Sequence, residues 1–405
     1  MPIILPDRRK KVFLIGMGPG NLQLLTAKAR DILTSVSSVY GTGRLCALCS
    51  LIRPDAVPVP VGELAQRALS DKTRSVGLLL SGDAGFFSAA KRLHAALKEQ
   101  CDVEICCGLS SMQYFLAKLG RSYENIKVVS LHGREGSVLG VVSYHPAVFV
   151  LTGGKHKAHD ICRELADQGL AQVRVSAGEN LSMEDERILS GTAEELSQEI
   201  FSDLTVLFIE NPAYVSAHLS LRDEDFVRGS VPMTKEEVRI LSAAKLRVNP
   251  EDTVWDIGAG TGSVSVELAR KASDGTVYAV EHREEALGLI RQNRKKMGAY
   301  NLVPVLGEAP DCLPSLPAPD KVFIGGSGGK LREILTLLFE RNPDLRVVLN
   351  AITLETTANA LSVLQKLHCE AEIVTVNVSK ARKAGPYHLM EAQNPVTIIT
   401  AEKAR

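Results

Sequence analysis

The sequence lacks the features of a membrane protein, a secreted protein or a nucleic-acid binder. No apolar run approaches the ~20 residues that cross a bilayer. The N-terminal MPIILPDRRKK places its charges after a short apolar piece, the reverse of a secretory signal. Basic and acidic residues balance at 47 each, so no excess positive charge attracts nucleic acid. We therefore expect a cytoplasmic protein without a membrane or nucleic-acid partner.

Cysteine is also scarce, with eight residues in a chain of 405. Cys46 and Cys49 form a lone CxxC, and Cys106 and Cys107 are adjacent. Neither pair is accompanied by a second pair or by histidines at the spacing of a zinc site. We predict free thiols, no disulfide framework and no metal site.

The sequence is rich in short apolar strands that run into glycine turns and then into helices. VFLIGMGPG, SVGLLLSGDAG and VEICCGLSS each follow this order, which predicts an α/β architecture with a mostly parallel sheet. A second α/β block starts near AVFVLTGG, where TAEELSQEIF predicts a helix capped by Thr192. A third block starts at TKEEVRILSAAKL, whose helix we expect Thr234 and Glu237 to cap, and its last strands predict an antiparallel hairpin.

These blocks predict the domain organisation. Polar, irregular sequence after Asn211-Pro212 marks a boundary. We expect an N-terminal domain over 1–215 with lobes of about 10–120 and 121–215, a linker over 216–230 and a C-terminal domain over 231–405.

The stretch VWDIGAGTGSVSVELA predicts a ligand site in the C-terminal domain. Gly258, Gly260 and Gly262 let the backbone turn tightly and approach a ligand. A dinucleotide site has its third glycine one position later, where this chain has Ser263. That spacing disfavours a nicotinamide oxidoreductase.

Two acids accompany these glycines. Asp256 stands directly before the turn and suits a ligand that carries an amino group. Glu281 ends the next strand, TVYAVE, where a carboxylate can accept hydrogen bonds from both hydroxyls of a ribose.

A second ligand site is predicted in the N-terminal domain from three turns, GMGPGN, SGDAG and GLSS. Each turn follows a predicted strand. The carboxyl ends of parallel strands converge on one crevice, so we expect the three turns to lie together.

The chain resembles two families of methyltransferases. The acid-GxGxG pattern resembles the first motif of the class I S-adenosylmethionine methyltransferases, and with PMTKEEVRILSAAKLRV, GEAPDCLP, VFIGGSGG and LNAITLET it resembles the CbiT type. GMGPGNLQLLTAKARDIL, LSGDAGFF, GLSSMQYFLAKLG and SLHGR resemble the CbiE type of tetrapyrrole methylase. The order resembles the fused precorrin methyltransferases of corrin ring synthesis over about residues 10–400. It implies a two-lobed tetrapyrrole methylase fold followed by a Rossmann-like class I methyltransferase domain.

The resemblance also implies the chemistry. It implies two S-adenosylmethionine sites per chain, a tetrapyrrole (precorrin) substrate and a homo-oligomer. The implied enzyme methylates precorrin-6B, or its cobalt form, at C-5 in the N-terminal region and at C-15 in the C-terminal region. The C-terminal region also removes carbon dioxide from the ring C acetate.

The motifs and the resemblance together assign site residues. The cofactor contacts are expected at Pro19, Gly82, Asp83, Ser110, Ser111, Asp256, Gly258, Gly260, Gly262, Glu281, Glu308 and Ala309. The substrate contacts are expected at Gly18, His132, Arg134, Gly325, Gly326, Ser327 and Asn350. Substrate carboxylates favour cationic partners, for which the candidates are Arg44, Arg53, Arg134 and Arg239. No catalytic residue is assigned; the candidates for the proton donor of the decarboxylation are His282, Glu308 and Lys330.

Other functions stay open on the sequence. The C-terminal half could methylate a different small molecule, or the chain could carry a tetrapyrrole without turnover. An RNA methyltransferase is disfavoured by the neutral charge and by the lack of a basic extension with aromatic residues.

Overall fold

The computed structural model of the chain describes residues 9–133 and 136–403. Within these residues, three large sheets follow one another along the chain, and helices cover them. Each sheet has its own buried apolar clusters. The α/β class predicted from the strand–turn–helix pattern is confirmed.

The first sheet is parallel and has the strand order β3-β2-β4-β1-β5. Its apolar strands are covered by helices on both faces, as the two clusters around it indicate. Its strands are β1 (Lys10–Gly16), β2 (Ser38–Gly41), β3 (Val57–Pro58), β4 (Ser75–Leu80) and β5 (Cys101–Cys106). Its helices are α1 (Ala27–Ser35), α2 (Gly43–Cys49), α3 (Leu64–Ser70) and α4 (Ala90–Leu97).

Helix α5 (Ser111–Lys118) leads from the first sheet to the second, which is mixed and has the order β6-β7-β10-β8-β9. Strands β6 and β7 are parallel, and the other neighbours are antiparallel. The strands are β6 (Lys127–Ser130), β7 (Ala147–Leu151), β8 (Arg174–Glu179), β9 (Arg187–Thr192) and β10 (Thr205–Glu210). The helices are α6 (Leu139–Tyr144), α7 (Ala158–Leu165) and α8 (Ala193–Leu196). Thr192 caps α8 in a capping box with Glu195, as predicted.

A buried cluster packs helix α5 and the loop after β4 against the second sheet. Phe115 on α5 packs with Phe149 on β7 and with Leu181, which follows β8. Gly20 lies so close to the second lobe that a side chain there would meet the end of Met183. The N-terminal region therefore forms one body made of two lobes.

The third sheet has the order β13-β12-β11-β14-β15-β19-β16, in which the first five strands are parallel and β19 is antiparallel to both of its neighbours, β15 and β16. The α/β architecture with a mostly parallel sheet and the antiparallel pairing of the last strands, both predicted from the sequence, are confirmed. The strands are β11 (Thr253–Ile257), β12 (Thr276–Glu281), β13 (Leu302–Leu306), β14 (Lys321–Ile324), β15 (Arg346–Ala351), β16 (Cys369–Val376), β17 (Ser379–Ala384), β18 (Tyr387–Ala392) and β19 (Val396–Lys403), of which β17 and β18 form a separate hairpin. The helices are α9 (Glu236–Leu246), α10 (Ser263–Lys271), α11 (Glu284–Lys296), α12 (Leu331–Arg341) and α13 (Leu354–Lys366).

The predicted cap of α9 is wrong. The helix starts at Glu236, and Lys235 is the N-cap residue without a side-chain cap. The Thr234 carbonyl instead accepts a hydrogen bond from Arg239, and the Glu237 carboxylate pairs with Lys380 of β17 at 2.8 Å. Tertiary partners have replaced the local capping contacts.

Two further features bear on the sequence predictions. The eight cysteines are free thiols, five of them buried. None of the helices in residues 9–133 and 136–403 is both long and apolar enough to cross a lipid bilayer.

Candidate functional site

The three predicted turns of the N-terminal domain meet at the carboxyl ends of β1, β4 and β5. Gly18 and Gly82 exchange backbone hydrogen bonds of 3.0 and 3.1 Å. A side chain at Gly108 would lie 2.5 Å from the Gly82 carbonyl and 2.7 Å from that of Gly16. Backbone therefore packs on backbone here, which only glycine permits.

Asp83 ties two of these turns together. One carboxylate oxygen accepts a hydrogen bond from the Gly108 N–H and the other from the Gly85 N–H, both at 3.0 Å. The Ser110 hydroxyl is likewise engaged, because it caps α5 in a capping box with Gln113. These two side chains build the cleft, and the polar groups left for a ligand are mainly backbone.

Three further N-terminal site residues lie within the described part of the chain. Pro19 and Ser111 belong to the first and third turns and are partly exposed. His132 is exposed after β6, and its ring lies against Gly153 beyond the end of β7. Arg134 lies outside the described residues.

In the C-terminal domain, Asp256 is completely buried at the end of β11. Its Oδ2 accepts a hydrogen bond from the Ser265 hydroxyl on α10. Its Oδ1 has no hydrogen-bond partner among residues 9–133 and 136–403. Burial, together with the nearby Glu281 charge, raises the pKa of Asp256 to about 7, and the Ser265 hydrogen bond opposes this only in part. A buried acceptor without a partner is costly, so this position fits a ligand that brings a cationic N–H donor.

Glu281 lies beside it, 3 % exposed, at the end of β12 as predicted. Its Oε2 accepts a hydrogen bond from the Gly260 N–H at 2.9 Å. Its Oε1 accepts hydrogen bonds from the His282 and Arg283 N–H groups, each at 3.1 Å. The backbone thus fixes the carboxylate at the rim of the glycine turn.

The glycines of that turn have the left-handed backbone that the spacing requires. Gly258, Gly260 and Gly262 have φ of +73°, +57° and +76°. A side chain at Gly258 would lie 2.5 Å from the Gly326 carbonyl. The turn after β11 and the glycine loop after β14 are therefore neighbours, and Gly325 and Gly326 are exposed beside the two acids.

Asn293 on α11 is a site residue that the sequence analysis missed. Its buried amide donates to the Thr261 carbonyl in the glycine turn at 2.9 Å and to the Val227 carbonyl at 3.1 Å. Its oxygen accepts from the Val227 N–H at 2.7 Å. The segment 227–232, predicted as linker and domain start, is thereby held along α11. It reaches the turn, where a side chain at Gly260 would lie 3.2 Å from the Pro232 carbonyl.

Other predicted C-terminal residues frame the same opening. Asn350 on β15 accepts a hydrogen bond from Ser242 at 3.0 Å, and its buried Nδ2 has no partner within the part of the chain that the structure describes. Glu308 follows β13 and pairs with Lys330 at 3.0 Å, with Ala309 buried beside it and Ser327 partly buried in the loop after β14.

The proton-donor candidates differ in their surroundings. The Glu308 hydrogen bond raises the pKa of Lys330, which makes its ammonium a poorer proton donor at neutral pH. His282 is exposed, and its Nδ1 lies 3.2 Å from the Glu281 carboxylate.

Two of the four arginine candidates are wrong. Arg239 is completely buried, bound to Asp223 at 3.0 Å and Glu267 at 3.4 Å. Arg53 donates to the Leu33 and Val36 carbonyls and so stabilises the chain around α1. Neither guanidinium is accessible to a substrate carboxylate. Arg44 is exposed and donates to the Ser81 hydroxyl beside the second turn at 2.9 Å.

Comparisons with known proteins agree with this architecture. The model of the tetrapyrrole (corrin/porphyrin) methylases matches residues 11–197, and that of the precorrin methyltransferase domain matches residues 225–403. A probable cobalt-precorrin-6B C(15)-methyltransferase (decarboxylating) of Saccharolobus solfataricus is 41 % identical over 187 residues, which are 45 % of this chain and 92 % of the relative. Its counterpart in Pyrobaculum calidifontis is 42 % identical over 44 % of this chain and 93 % of the relative.

Solved structures match each half as well. The precorrin-6y C5,15-methyltransferase of Geobacter metallireducens is 41 % identical and covers 46 % of this chain and 97 % of its own, with a TM-score of 0.44. The cobalamin biosynthesis precorrin-6Y methylase of Archaeoglobus fulgidus is 24 % identical and covers 50 % of this chain and 98 % of its own, with a TM-score of 0.41.

The two family matches follow one another in the same order as the two glycine-turn sites. The archaeal relatives are matched over nearly their whole length. The chain therefore belongs to the precorrin methyltransferases, S-adenosylmethionine-dependent enzymes, and joins a tetrapyrrole methylase domain to a precorrin methyltransferase domain.

Proposed function

We propose that the chain methylates one precorrin at two positions and decarboxylates it once. The N-terminal domain methylates C-5, and the C-terminal domain methylates C-15 and removes the carboxyl group of the ring C acetate. The substrate is precorrin-6B or its cobalt form. The observation that carries this proposal is the presence of two separate strand-end glycine sites in one chain, each within a different methyltransferase match.

Each site is proposed to bind one S-adenosylmethionine, which supplies an electrophilic methyl group. In the C-terminal site, Asp256 accepts hydrogen bonds from the amino group of the ligand, and Glu281 accepts them from the ribose hydroxyls. The bare backbone of the glycine turn lets the ligand lie close to β11. In the N-terminal site, backbone groups of the three turns are proposed to make the hydrogen bonds to the ligand. Asp83 holds two of these turns together.

Methyl transfer of this kind needs a nucleophilic carbon aligned behind the methyl group, and positioning supplies much of the rate. The exposed loop after β14, with Gly325, Gly326 and Ser327, is proposed to receive the flat macrocycle. The free Nδ2 of Asn350 is proposed to donate to a substrate carboxylate. At the N-terminal cleft, Gly18 and His132 are proposed to contact the substrate.

Decarboxylation needs an electron sink, which the conjugated macrocycle itself can provide. The protein then has to orient the carboxylate and deliver one proton to the carbon that loses it. Of the proton-donor candidates, we favour His282, because its side chain is exposed beside the glycine turn and the Glu281 carboxylate, 3.2 Å from its Nδ1, can orient the ring.

The proposal includes the division into 1–215, 216–230 and 231–405, and a homo-oligomer. The exposed side chains of Tyr387, Leu389 and Met390 on β18 support self-association, because they leave apolar surface on both faces of the hairpin that β17 and β18 form. Light scattering of the purified chain tests the oligomer, and a monomer at micromolar concentration would contradict it.

The test of the reaction is mass spectrometry of the product formed from precorrin-6B, and separately from its cobalt form, with excess S-adenosylmethionine. The expected product gains two methyl groups and loses one carbon dioxide. A gain of one methyl without decarboxylation would contradict the bifunctional reaction. No change in mass with either form, while the cofactor still binds, would indicate that the C-terminal half acts on another small molecule.

A further inference from the structure

The contacts that join the two halves lie where the strands of the C-terminal sheet begin. Asn301 directly precedes β13, and Ser273 and Asp274 lie three and two residues before β12. The C-terminal glycine turn and both acids lie at the opposite ends of the parallel strands. The contacts are Tyr144 with Asn301, Gly140 with Ser273, Lys127 with Asp274, Gln168 with Arg294 and Gly169 with Tyr300.

The same contacts lie at one end of the second N-terminal sheet. Lys127 begins β6, helix α6 leads into the start of β7, and Gly169 precedes β8. Strands β6, β7 and β8 start at this end, because β10 is antiparallel to both β7 and β8 and ends here.

The N-terminal cleft opens at the other end of that sheet. Met183, which follows β8, lies against Gly20 of the first turn. His132 follows the end of β6 and lies against Gly153, beyond the end of β7. Five- and six-residue strands span roughly 17–20 Å, so one sheet height separates each site from the contact region.

The contact region is closely packed and hydrogen-bonded. Asn301 is 2 % exposed and accepts a hydrogen bond from the Tyr144 hydroxyl at 3.0 Å. Its amide also donates to the Ala269, Ala272 and Gly275 carbonyls. Gly140 on the buried helix α6 packs against the Ser273 carbonyl, with no space for a side chain. Close packing of this kind favours one fixed arrangement of the two halves over a range of orientations.

From this arrangement we infer that the tetrapyrrole leaves the protein between its two methylations and reaches the second site through bulk solvent. The two sites of one chain open away from each other, with both sheets and a packed contact between them. The fusion therefore keeps the two sites in a one-to-one ratio and a fixed relative orientation. It does not carry the intermediate from one site to the other within the protein. This inference rests on the proposed function, in which both sites act on the same tetrapyrrole.

The test uses two full-length variants, Asp83→Ala to disable the N-terminal site and Glu281→Ala to disable the C-terminal site. Each is first assayed alone for its remaining methylation, which establishes that it is folded and that each half acts on the tetrapyrrole. The two separately purified variants are then mixed and compared with the unsubstituted protein at equal concentrations of working sites.

If the intermediate moves through solvent, the mixture should form the doubly methylated product within about twofold of the rate of the unsubstituted protein and with the same lag. The reason is that joining two sites in one chain does not speed the capture of an intermediate that is first released. A mixture slower by about tenfold or more, with a lag that the unsubstituted protein lacks, would overturn the inference by indicating direct transfer. If neither variant methylates a precorrin alone, the proposed function fails, and the inference fails with it.

A second measurement needs no variant. During turnover of the unsubstituted protein, rapid ultrafiltration is expected to recover the singly methylated intermediate in the filtrate. An intermediate that stays with the protein throughout turnover, while the final product appears in the filtrate, would contradict release.

Discussion

The two glycine-turn sites differ in what holds them together. In the N-terminal domain, the backbones of Gly18 and Gly82 bind each other. Each carboxylate oxygen of Asp83 accepts a hydrogen bond from a backbone N–H of the turns. In the C-terminal domain, two acids are buried side by side, and Asp256 keeps one oxygen without a partner in the described chain. The first site is shaped mainly by the main chain, and the second also depends on charged side chains. Substitution and pH should therefore affect the second site more strongly.

The largest expected effect comes from Glu281→Ala. It removes a carboxylate that is 3 % exposed and is proposed to hold the ribose. A charge-assisted hydrogen bond contributes about 1.5–3 kcal/mol, so losing two should weaken C-terminal methylation by about 100-fold or more. N-terminal methylation should be unchanged. Product mass and the position of the methyl group measure both activities, and Glu281→Gln serves as the matched control with the shape retained. Unimpaired methylation at C-15 would refute the ribose contact.

A pair of glycine substitutions tests whether close backbone packing excludes a side chain equally at both sites. In Gly108→Ala and Gly258→Ala, the new methyl group would lie 2.5 Å from a backbone carbonyl in each case. Overpacking of this kind costs about 1–3 kcal/mol, and each change should lower the activity and the melting temperature of its own domain.

The controls for that pair are Gly43→Ala and Gly288→Ala, where an added methyl group meets nothing within 4 Å. Calorimetry should show no destabilisation for either control, and Gly288→Ala inside α11 should raise the melting temperature slightly, because alanine favours a helix over glycine. Equal destabilisation by a control and its partner would show that the close approach is not the cause.

The pH dependence should separate the two sites further. The pKa of Asp256, raised to about 7, means that this carboxyl takes up a proton as the pH falls through 7 in the ligand-free protein. Because the proposed amino contact needs the carboxylate, the C-terminal affinity for S-adenosylmethionine should fall about five- to sixfold from pH 7 to pH 6. Titration calorimetry should find this slope at one of two sites. Asp256→Asn should weaken binding at that site and remove the slope, and a slope that persists in this variant would identify a different group.

The same group links pH to stability with a known sign. An aspartate in an unfolded chain has a pKa of about 3.9, below that of buried Asp256. Protonated Asp256 therefore favours the folded state, and its contribution is full below pH about 4 and is lost as the pH rises to about 7. Asp256→Asn should flatten this part of the C-terminal unfolding profile. An unchanged profile would contradict the raised pKa.

The smallest expected effect is that of Asn293→Ala, which tests whether segment 227–232 is part of the C-terminal site. The change removes three hydrogen bonds to backbone, so the segment and the glycine turn lose their common anchor. We expect a roughly fivefold rise in KM for S-adenosylmethionine at the C-terminal site with little change in kcat, as for a loss of about 1 kcal/mol. Ser230→Ala, which removes an exposed hydrogen bond to Glu285 in the same segment, is the control. A kcat loss with unchanged KM would speak against a binding role.

The sequence predicts the parts of the molecule that depend on local patterns. Strand–turn–helix order located the first and third sheets, and glycine spacing located both turns. Asn293 escaped prediction because its partners are 32 and 66 positions away, so no short pattern reveals them. Arg239 was misassigned for the same reason. Its position near a motif resembled a substrate contact, but its acids come from distant segments that fold around it.

The buried Arg239 also limits the residue at which a separate C-terminal domain could begin. Its guanidinium binds the Leu221 carbonyl at 2.6 Å and Asp223 at 3.0 Å, both upstream of the residues that match the precorrin methyltransferase domain. A C-terminal polypeptide that started at residue 225 would leave this charge with Glu267 as its acidic partner at 3.4 Å. Breaking a buried ion pair costs about 3–5 kcal/mol. A C-terminal domain prepared without the N-terminal half should therefore start before Leu221 to keep these contacts.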